Sequence, residues 1–236
     1  MSLNSKIEWT HSTWNPVTGC SKISLGCENC YAERMAKRLK AMENNTYKNG
    51  FKVTLHEELL EKPLKWRQPQ MVFVNSMGDL FHEDVPVSFI FDTFKIMKQA
   101  EWHTFQVLTK RTKRLKELSK EIEWPKNVWI GVTIESEEYV SRLNDILDTD
   151  AYIQFISFEP LLSQIKNICF KGINWVIVGG ESGPKSRTMK KEWVFDIYEQ
   201  CKTDNIPFFF KQWGGFHKKK NGRLFQNKVW NEMPLI

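Results

Sequence analysis

The chain has 236 residues, of which 41% are hydrophobic and 26% charged. That is enough apolar material for a full core and too much for a disordered polymer. Its 34 basic and 28 acidic residues leave a net charge of +6, and no run of about 18 apolar residues occurs, which argues against a membrane-spanning helix.

Residues 1–7 carry no apolar stretch of the signal-peptide kind, so the expected setting is reducing and cytoplasmic, away from membranes. A first strand is expected near residues 14–18. It leads into a loop that holds Cys20, Cys27 and Cys30, three of the five cysteines within eleven positions. An odd number of cysteines in such a compartment makes a poor disulfide framework, and three clustered thiols read as metal ligands. Gly19 and Gly26 each precede a cysteine and let the loop turn tightly. Cys169 and Cys201 stand alone and read as buried structural thiols.

After Cys30, the residues Tyr31, Met35, Leu39 and Met42 recur at helical spacing, which predicts an amphipathic helix with these four on its apolar face and a basic outer face. The stretch to Pro69 is less regular. A repeating pattern then begins, in which a short apolar run ends in polar residues and a helical segment follows. Residues 71–74 end at Asn75 and Ser76, with Asp79 just beyond; residues 104–108 end at Thr109, Lys110 and Arg111. Residues 128–132 lead to Glu135, residues 152–156 to Glu159, residues 175–178 to Glu181 and residues 207–210 to Lys211. Phe89, Ile90, Phe94 and Met97 mark one intervening helix, and Leu115, Leu118 and Ile122 the next. Tyr139, Leu143, Ile146 and Leu147 mark a third, and Val194, Ile197, Tyr198 and Cys201 a fourth; the link over residues 161–173 is too short for a good helix.

Apolar strands alternating with helices predict an α/β fold with a parallel sheet buried on both faces. About seven strands are expected on single-sequence grounds. A doubly wound open sheet and an incomplete (β/α) barrel both fit, and both put the strand-end polar residues on one functional face. No linker or repeat splits the chain, so residues 1–236 read as one domain with an N-terminal three-Cys loop and a basic C-terminal tail.

Three thiolates fall one short of a closed structural zinc site, whereas a [4Fe–4S] cluster on three cysteines keeps one iron open to an outside ligand. His11 is the imidazole on offer as a fourth zinc ligand, but nothing in its spacing marks it and it reads as a loop residue. Asn75, Ser76, Lys110, Glu159, Glu181 and Lys211 are the candidate cofactor-binding residues, with Asp79 and Arg111 beside them. Glu181 follows Gly179-Gly180, where absent side chains allow a ligand to approach, and its carboxylate suits ribose hydroxyls or an ammonium group. Lys110, Arg111 and Lys211 suit a phosphate or carboxylate; the alternative is that these cations pair with the glutamates. His82 reads as a satisfied loop histidine. Trp213 either stacks on a flat ring or packs the barrel end. From Lys211 onward six basic residues face one acid: Lys211, Lys218, Lys219, Lys220, Arg223 and Lys228 against Glu232. Such a tail is either a solvated surface or an anion-facing patch for nucleic acid.

The runs Thr13-Trp14-Asn15-Pro16-Val17-Thr18-Gly19-Cys20 and Gly26-Cys27-Glu28-Asn29-Cys30-Tyr31-Ala32 resemble the phage three-Cys-motif protein family. The likeness continues through Val72-Phe73-Val74-Asn75-Ser76-Met77, Gln106-Val107-Leu108-Thr109-Lys110-Arg111, Phe158-Glu159-Pro160-Leu161-Leu162, Val178-Gly179-Gly180-Glu181-Ser182-Gly183 and Phe209-Phe210-Lys211-Gln212-Trp213-Gly214-Gly215. That family comprises phage or prophage proteins of unknown activity and is similar to radical S-adenosylmethionine enzymes. The resemblance implies a partial (β/α) barrel with a [4Fe–4S] cluster on the loop after the first strand. It also implies S-adenosylmethionine bound through its amino and carboxyl groups, cleaved on reduction to a 5′-deoxyadenosyl radical, and it admits a companion protein. One departure stands out: the first cysteine gap holds six residues here and three in the common radical motif. The expectation is therefore a radical S-adenosylmethionine-like enzyme whose substrate is nucleic acid or a nucleotide. Its alternatives are a zinc-stabilised nucleic-acid-binding module and a non-catalytic barrel acting with a partner protein.

Overall fold

Strands that are apolar on both sides need a layer on each face, and the fold supplies both. In a computed structural model, residues 2–3, 5–166 and 168–235 are described. A short β1 (Ser2–Leu3) runs antiparallel to β2 (Ser12–Trp14). The expected first strand at residues 14–18 is split, because Asn15-Pro16 interrupts the ladder where proline has no N–H to offer. Its second half, β3 (Val17–Thr18), turns away and pairs antiparallel with β4 (Thr54–Leu55). The main sheet continues through β5 (Met71–Val74), β6 (Thr104–Thr109), β7 (Val128–Thr133), β8 (Ile153–Phe158), β9 (Trp175–Gly179) and β10 (Phe208–Gln212).

From β2 to β10 these seven strands are parallel and stand in strict chain order. A doubly wound sheet reverses its strand order at a switch point and this one does not, so the architecture is the partial (β/α) barrel. The helices are α1 (Tyr31–Ala41), α2 (Val87–Gln99), α3 (Thr112–Ser119), α4 (Arg142–Leu147), α5 (Lys191–Thr203) and the single-turn α6 (Lys218–Asn221). The predicted helix containing Tyr139 is a 3₁₀ turn, Glu137–Tyr139, followed by α4. Between β8 and β9 the described chain forms no helix. Leu161, Ile165, Phe170 and Ile173 cover the sheet there as irregular chain.

Alternation along each strand sorts the side chains into two cores. Val72 and Val74, Phe105 and Val107, Ile130 and Val132, Val176 and Val178 point outward and pack beneath the helices. Phe73, Trp129, Phe155, Trp175, Ile177 and Phe209 point inward and form a second, aromatic cluster. An open barrel leaves a gap in this interior, and Trp9 from the N-terminal segment fills it. Its ring lies 4.6 Å from Phe73 and 6.2 Å from Trp175. The far edge of β10 is covered by residues 230–232, through Phe210 N–H to Trp230 O at 3.0 Å and Glu232 N–H to Phe208 O at 3.3 Å. Covering the edge removes a template for pairing with another chain.

Two expectations about side-chain direction fail. On α1, Tyr31, Met35 and Met42 are 51%, 43% and 64% exposed, and Ala32 and Ala36 are the residues buried against Tyr47 and Met77. Small side chains let the helix sit close to its neighbours, so the large ones are displaced outward. Cys169 is exposed, because its neighbours Ile168 and Phe170 both point into the core; Cys201 is buried as expected.

The inner core has no room to spare at Gly131, where an added Cβ would stand 2.3 Å from the Phe155 ring. Gly131→Ala should therefore lower unfolding stability by about 1–3 kcal/mol, read from urea denaturation. His103 gives a second test. It is buried, its Nδ1 accepts from Gln70 N–H at 3.0 Å, and its Nε2–H faces the Pro63 carbonyl at 3.1 Å, which fixes the neutral tautomer. Burial holds its pKa below the usual histidine value. The unfolded chain thus takes up this proton first as pH falls through about 6.5, and stability present above that pH should be lost below it. Denaturation curves from pH 7.5 to 5 should show the midpoint falling, with a shallower fall in His103→Gln.

Candidate functional site

The three-Cys loop follows β3 and crosses the C-terminal ends of the sheet. Gly19 takes φ +86°, and a Cβ there would lie 2.2 Å from the Lys52 carbonyl oxygen, so only glycine lets the chain leave β3 at this angle. Gly26 serves a different purpose. Its backbone rests on Glu135, and a Cβ would come within 2.6 Å of that side chain.

Glu135 is fully buried at the end of β7. Arg142 donates to its Oε2 at 2.6 Å, Lys110 Nζ stands 3.5 Å from its Oε1, and Ser24 of the cysteine loop donates to the same Oε1. A second carboxylate, Glu181, clamps the other side of the loop. Its Oε1 accepts from Arg187 Nη2 at 2.6 Å, and its Oε2 accepts from Arg187 Nε and from Asn29 Nδ2, both at 3.0 Å. Arg187 reaches on to the Leu25 carbonyl at 2.9 Å and to Glu28 at 3.0 Å. Burial pushes the Glu181 carboxyl up, but these hydrogen bonds and the Arg187 charge outweigh it and hold the group below its usual range.

A third carboxylate holds the start of the loop. Asp79 Oδ1 accepts from Thr109 Oγ1 at 2.7 Å and from Phe81 N–H at 3.0 Å; its Oδ2 accepts from Lys110 N–H and Arg111 Nη1, both at 3.2 Å. Arg111 in turn donates to Cys20 Sγ at 3.3 Å. The thiols therefore sit in unlike surroundings. Burial pushes Cys20 up to about 11, with Asp79 adding to it and Arg111 opposing. At Cys27 burial acts the same way, but the Lys110 charge and hydrogen bonds from Ser24 and nearby backbone outweigh it, so its pKa falls below the usual thiol value.

Asn75, Lys110, Glu135, Glu159, Glu181 and Lys211 all lie at the C-terminal ends of their strands, on the side that carries the cysteine loop. Most are engaged within the protein. Lys211 Nζ pairs with Glu159 Oε1 at 2.7 Å, and Asn75, at φ 58°, accepts from Val17 N–H at 3.1 Å. Ser76 donates to Asn15 Oδ1 at 3.2 Å, and its carbonyl accepts from the Tyr31 hydroxyl. Asp79 is a structural hub, with its two oxygens filled. The space beside Gly179 and Gly180 belongs to the chain itself: Cβ atoms there would meet Glu159 at 3.0 Å and the Trp213 carbonyl at 2.1 Å.

Asn75 Nδ2 and Ser157 Oγ are among the buried polar atoms of this layer that have no hydrogen-bond partner among the described residues. A cleft of about 640 Å³ opens beside Cys20, lined by residues that include Lys22, Phe51, Lys52 and His82. Its size falls in the range that takes small ligands, about 300–1,000 Å³. His82 is buried and satisfied, with Nδ1 accepting from Asp84 N–H at 3.1 Å and Nε2 2.8 Å from Ser21 Oγ.

His11 accepts from Met71 N–H at 3.2 Å, at the start of β5, so it lies at the opposite end of the sheet from the thiols. Trp213 packs against Phe210 and Phe225, with its Nε1 donating to Leu224 O at 2.8 Å. The tail cations are partly committed: Lys218 lies 3.5 Å from Glu8, and Arg223 donates to the Lys211 and Phe210 carbonyls at 2.8 and 3.2 Å. Lys219 and Lys220 are exposed. Arg187, Arg142, Asn29 and Ser24 were not among the expected site residues; Arg187 and Arg142 lie six and seven positions from the glutamates they bind, whereas Asn29 and Ser24 meet theirs across 152 and 111.

Among the described residues no three His, Cys, Asp or Glu side chains converge as the ligands of a single metal ion do. Three half-buried free thiols with cations beside them form a different donor set. A four-iron cluster takes each thiolate on a separate iron, and soft sulfur is the donor it needs, so the set fits a cluster.

Replacing Glu135 by Ala leaves Arg142 buried and unpaired, and should cost about 3–5 kcal/mol of stability in urea denaturation. The same variant should speed proteolysis within residues 22–28, since the loop then loses the carboxylate beneath it.

No curated protein and no solved structure matches the chain. No helix among the described residues is long and apolar enough to cross a membrane. The match that is found spans residues 4–234, and by it the chain belongs to the family described as protein of unknown function (DUF5131).

Proposed function

We propose that the protein is a radical S-adenosylmethionine-type enzyme of the phage three-Cys-motif kind, with a [4Fe–4S] cluster held by Cys20, Cys27 and Cys30. The observation that carries this reading is the position of the thiols. They lie on the loop after the first strand of a seven-stranded parallel partial barrel, at the end where such folds keep their chemistry. Three thiols supply three soft donors, one short of a closed structural zinc site, which favours a cluster with one open iron.

Cys20, Cys27 and Cys30 would hold the cluster, which when bound would supply one-electron reductive chemistry toward S-adenosylmethionine, with the electron drawn from an external low-potential donor. The chain's own residues bind and orient. Asn75 Nδ2 and Ser157 Oγ are buried polar atoms that a ligand at the strand ends would satisfy. The Lys211–Glu159 pair offers one cation and one carboxylate for the two charged groups of an amino acid, and Lys110 adds a second cation. The aromatic cluster forms the floor beneath. For the substrate, Lys219 and Lys220 support a nucleic acid or nucleotide through phosphate contacts that do not read sequence.

Anaerobic reconstitution tests the reading. The purified chain should take up about four irons and four sulfides and turn brown. The Cys20→Ala, Cys27→Ala, Cys30→Ala triple variant should take up none. With dithionite and S-adenosylmethionine the loaded protein should form 5′-deoxyadenosine. Stoichiometric zinc with no iron uptake would refute the proposal.

A further inference from the structure

The three thiols differ in their hydrogen-bond partners, and Cys20 is the one that faces a guanidinium. Arg111 follows β6 and is buried, with its side chain 2% exposed. All five of its N–H donors are placed. Nε donates to Glu83 Oε2 at 2.8 Å, Nη1 to Asp79 Oδ2 at 3.2 Å and Cys20 Sγ at 3.3 Å, and Nη2 to Ser21 Oγ at 2.8 Å and Ser21 O at 3.2 Å. A guanidinium is a planar fork of fixed donors, so once four bonds are set the direction of the fifth follows. Here the fifth points at sulfur.

The fork is itself held from behind. Thr109 Oγ1 donates to Asp79 and accepts from Arg111 N–H at 2.9 Å, so the end of β6 and the Asp79 carboxylate set the arginine before the loop is considered. Among the described residues the other thiols have no guanidinium partner. Cys27 lies 3.5 Å from the Ser24 hydroxyl and near the Lys110 charge.

We propose that Arg111 is the positioning residue of the three-thiol site: it fixes the Cys20–Ser21 segment through the Cys20 sulfur and both Ser21 oxygens, and its N–H···S bond draws electron density from the Cys20 sulfur. This deepens the cluster reading above and rests on it. Hydrogen bonds to ligand sulfur raise a cluster's reduction potential, and residues behind the ligands set ligand orientation. Loss of Arg111 also leaves the Asp79 and Glu83 charges unopposed next to Cys20, which acts in the same direction.

The test uses full-length protein, reconstituted anaerobically, in which the arginine guanidino nitrogens carry ¹⁵N. Pulsed electron paramagnetic resonance of the reduced cluster should show coupling to a guanidinium ¹⁵N in the unsubstituted chain, a result that needs no variant to fold. Arg111→Lys keeps the charge but not the fork; it should take up iron yet lose the coupling. Arg111→Gln should shift the midpoint potential to more negative values. A loaded protein with no guanidinium coupling, or a potential unchanged in Arg111→Gln, overturns this inference and leaves the cluster reading standing. A chain that takes up no iron or sulfide overturns both.

Discussion

Glu135 is a carboxylate taken completely out of water at the point where sheet, helix and cysteine loop meet. Isolated, such a charge would cost several kcal/mol, and it persists because both oxygens are filled by Arg142, Lys110 and Ser24. The path of the loop follows from that satisfaction. Ser24 must approach the carboxylate, the backbone after it must lie flat against the same group, and only glycine at position 26 permits the contact. Asp79 and Glu181 repeat the device at either end of the loop. A segment with one 3₁₀ turn and no ladder of its own is thus pinned by three acids from three different strand ends.

The division between floor and rim comes from the alternation of each strand. Position by position, the inward side chains run from aromatic to polar: Phe73 then Asn75, Phe155 then Ser157 then Glu159, Phe209 then Lys211. The lower half is an aromatic packing closed by Trp9; the upper half is a belt of charges in low-dielectric surroundings, where each pair interacts more strongly than it would in water. Geometry on the rim is therefore set by electrostatics resting on a rigid base.

Much of this was legible in the sequence. Strands such as residues 128–133 and 153–158 are buried at every position, so their apolar runs stand out without any partner being known. Their polar ends lie on one face because parallel strands share a direction. The side of a helix that packs was harder to read. Size misled on α1, where the alanines face inward. Cys169 was readable by alternation with Ile168 and Phe170, had the segment been taken as extended rather than as a patch. The clamps were out of reach. Asn29 meets Glu181 across 152 positions and Ser24 meets Glu135 across 111, and no local pattern encodes a hydrogen bond between residues so far apart.

The order of the sheet also bears on how the molecule assembles. Each strand from β6 onward pairs with the one made just before it, so the barrel can grow during synthesis by adding one βα unit at a time, with modest loop-closure cost at each addition. Growth in one direction always leaves a raw edge. That edge passes from strand to strand as the nascent chain lengthens and comes to rest on β10, where Phe208 and Phe210 present unpaired backbone. Residues 230–232 emerge last of these elements and close it. The interval between the completion of β10 and the arrival of those residues is the stage at which the growing chain is most open to association with its neighbours.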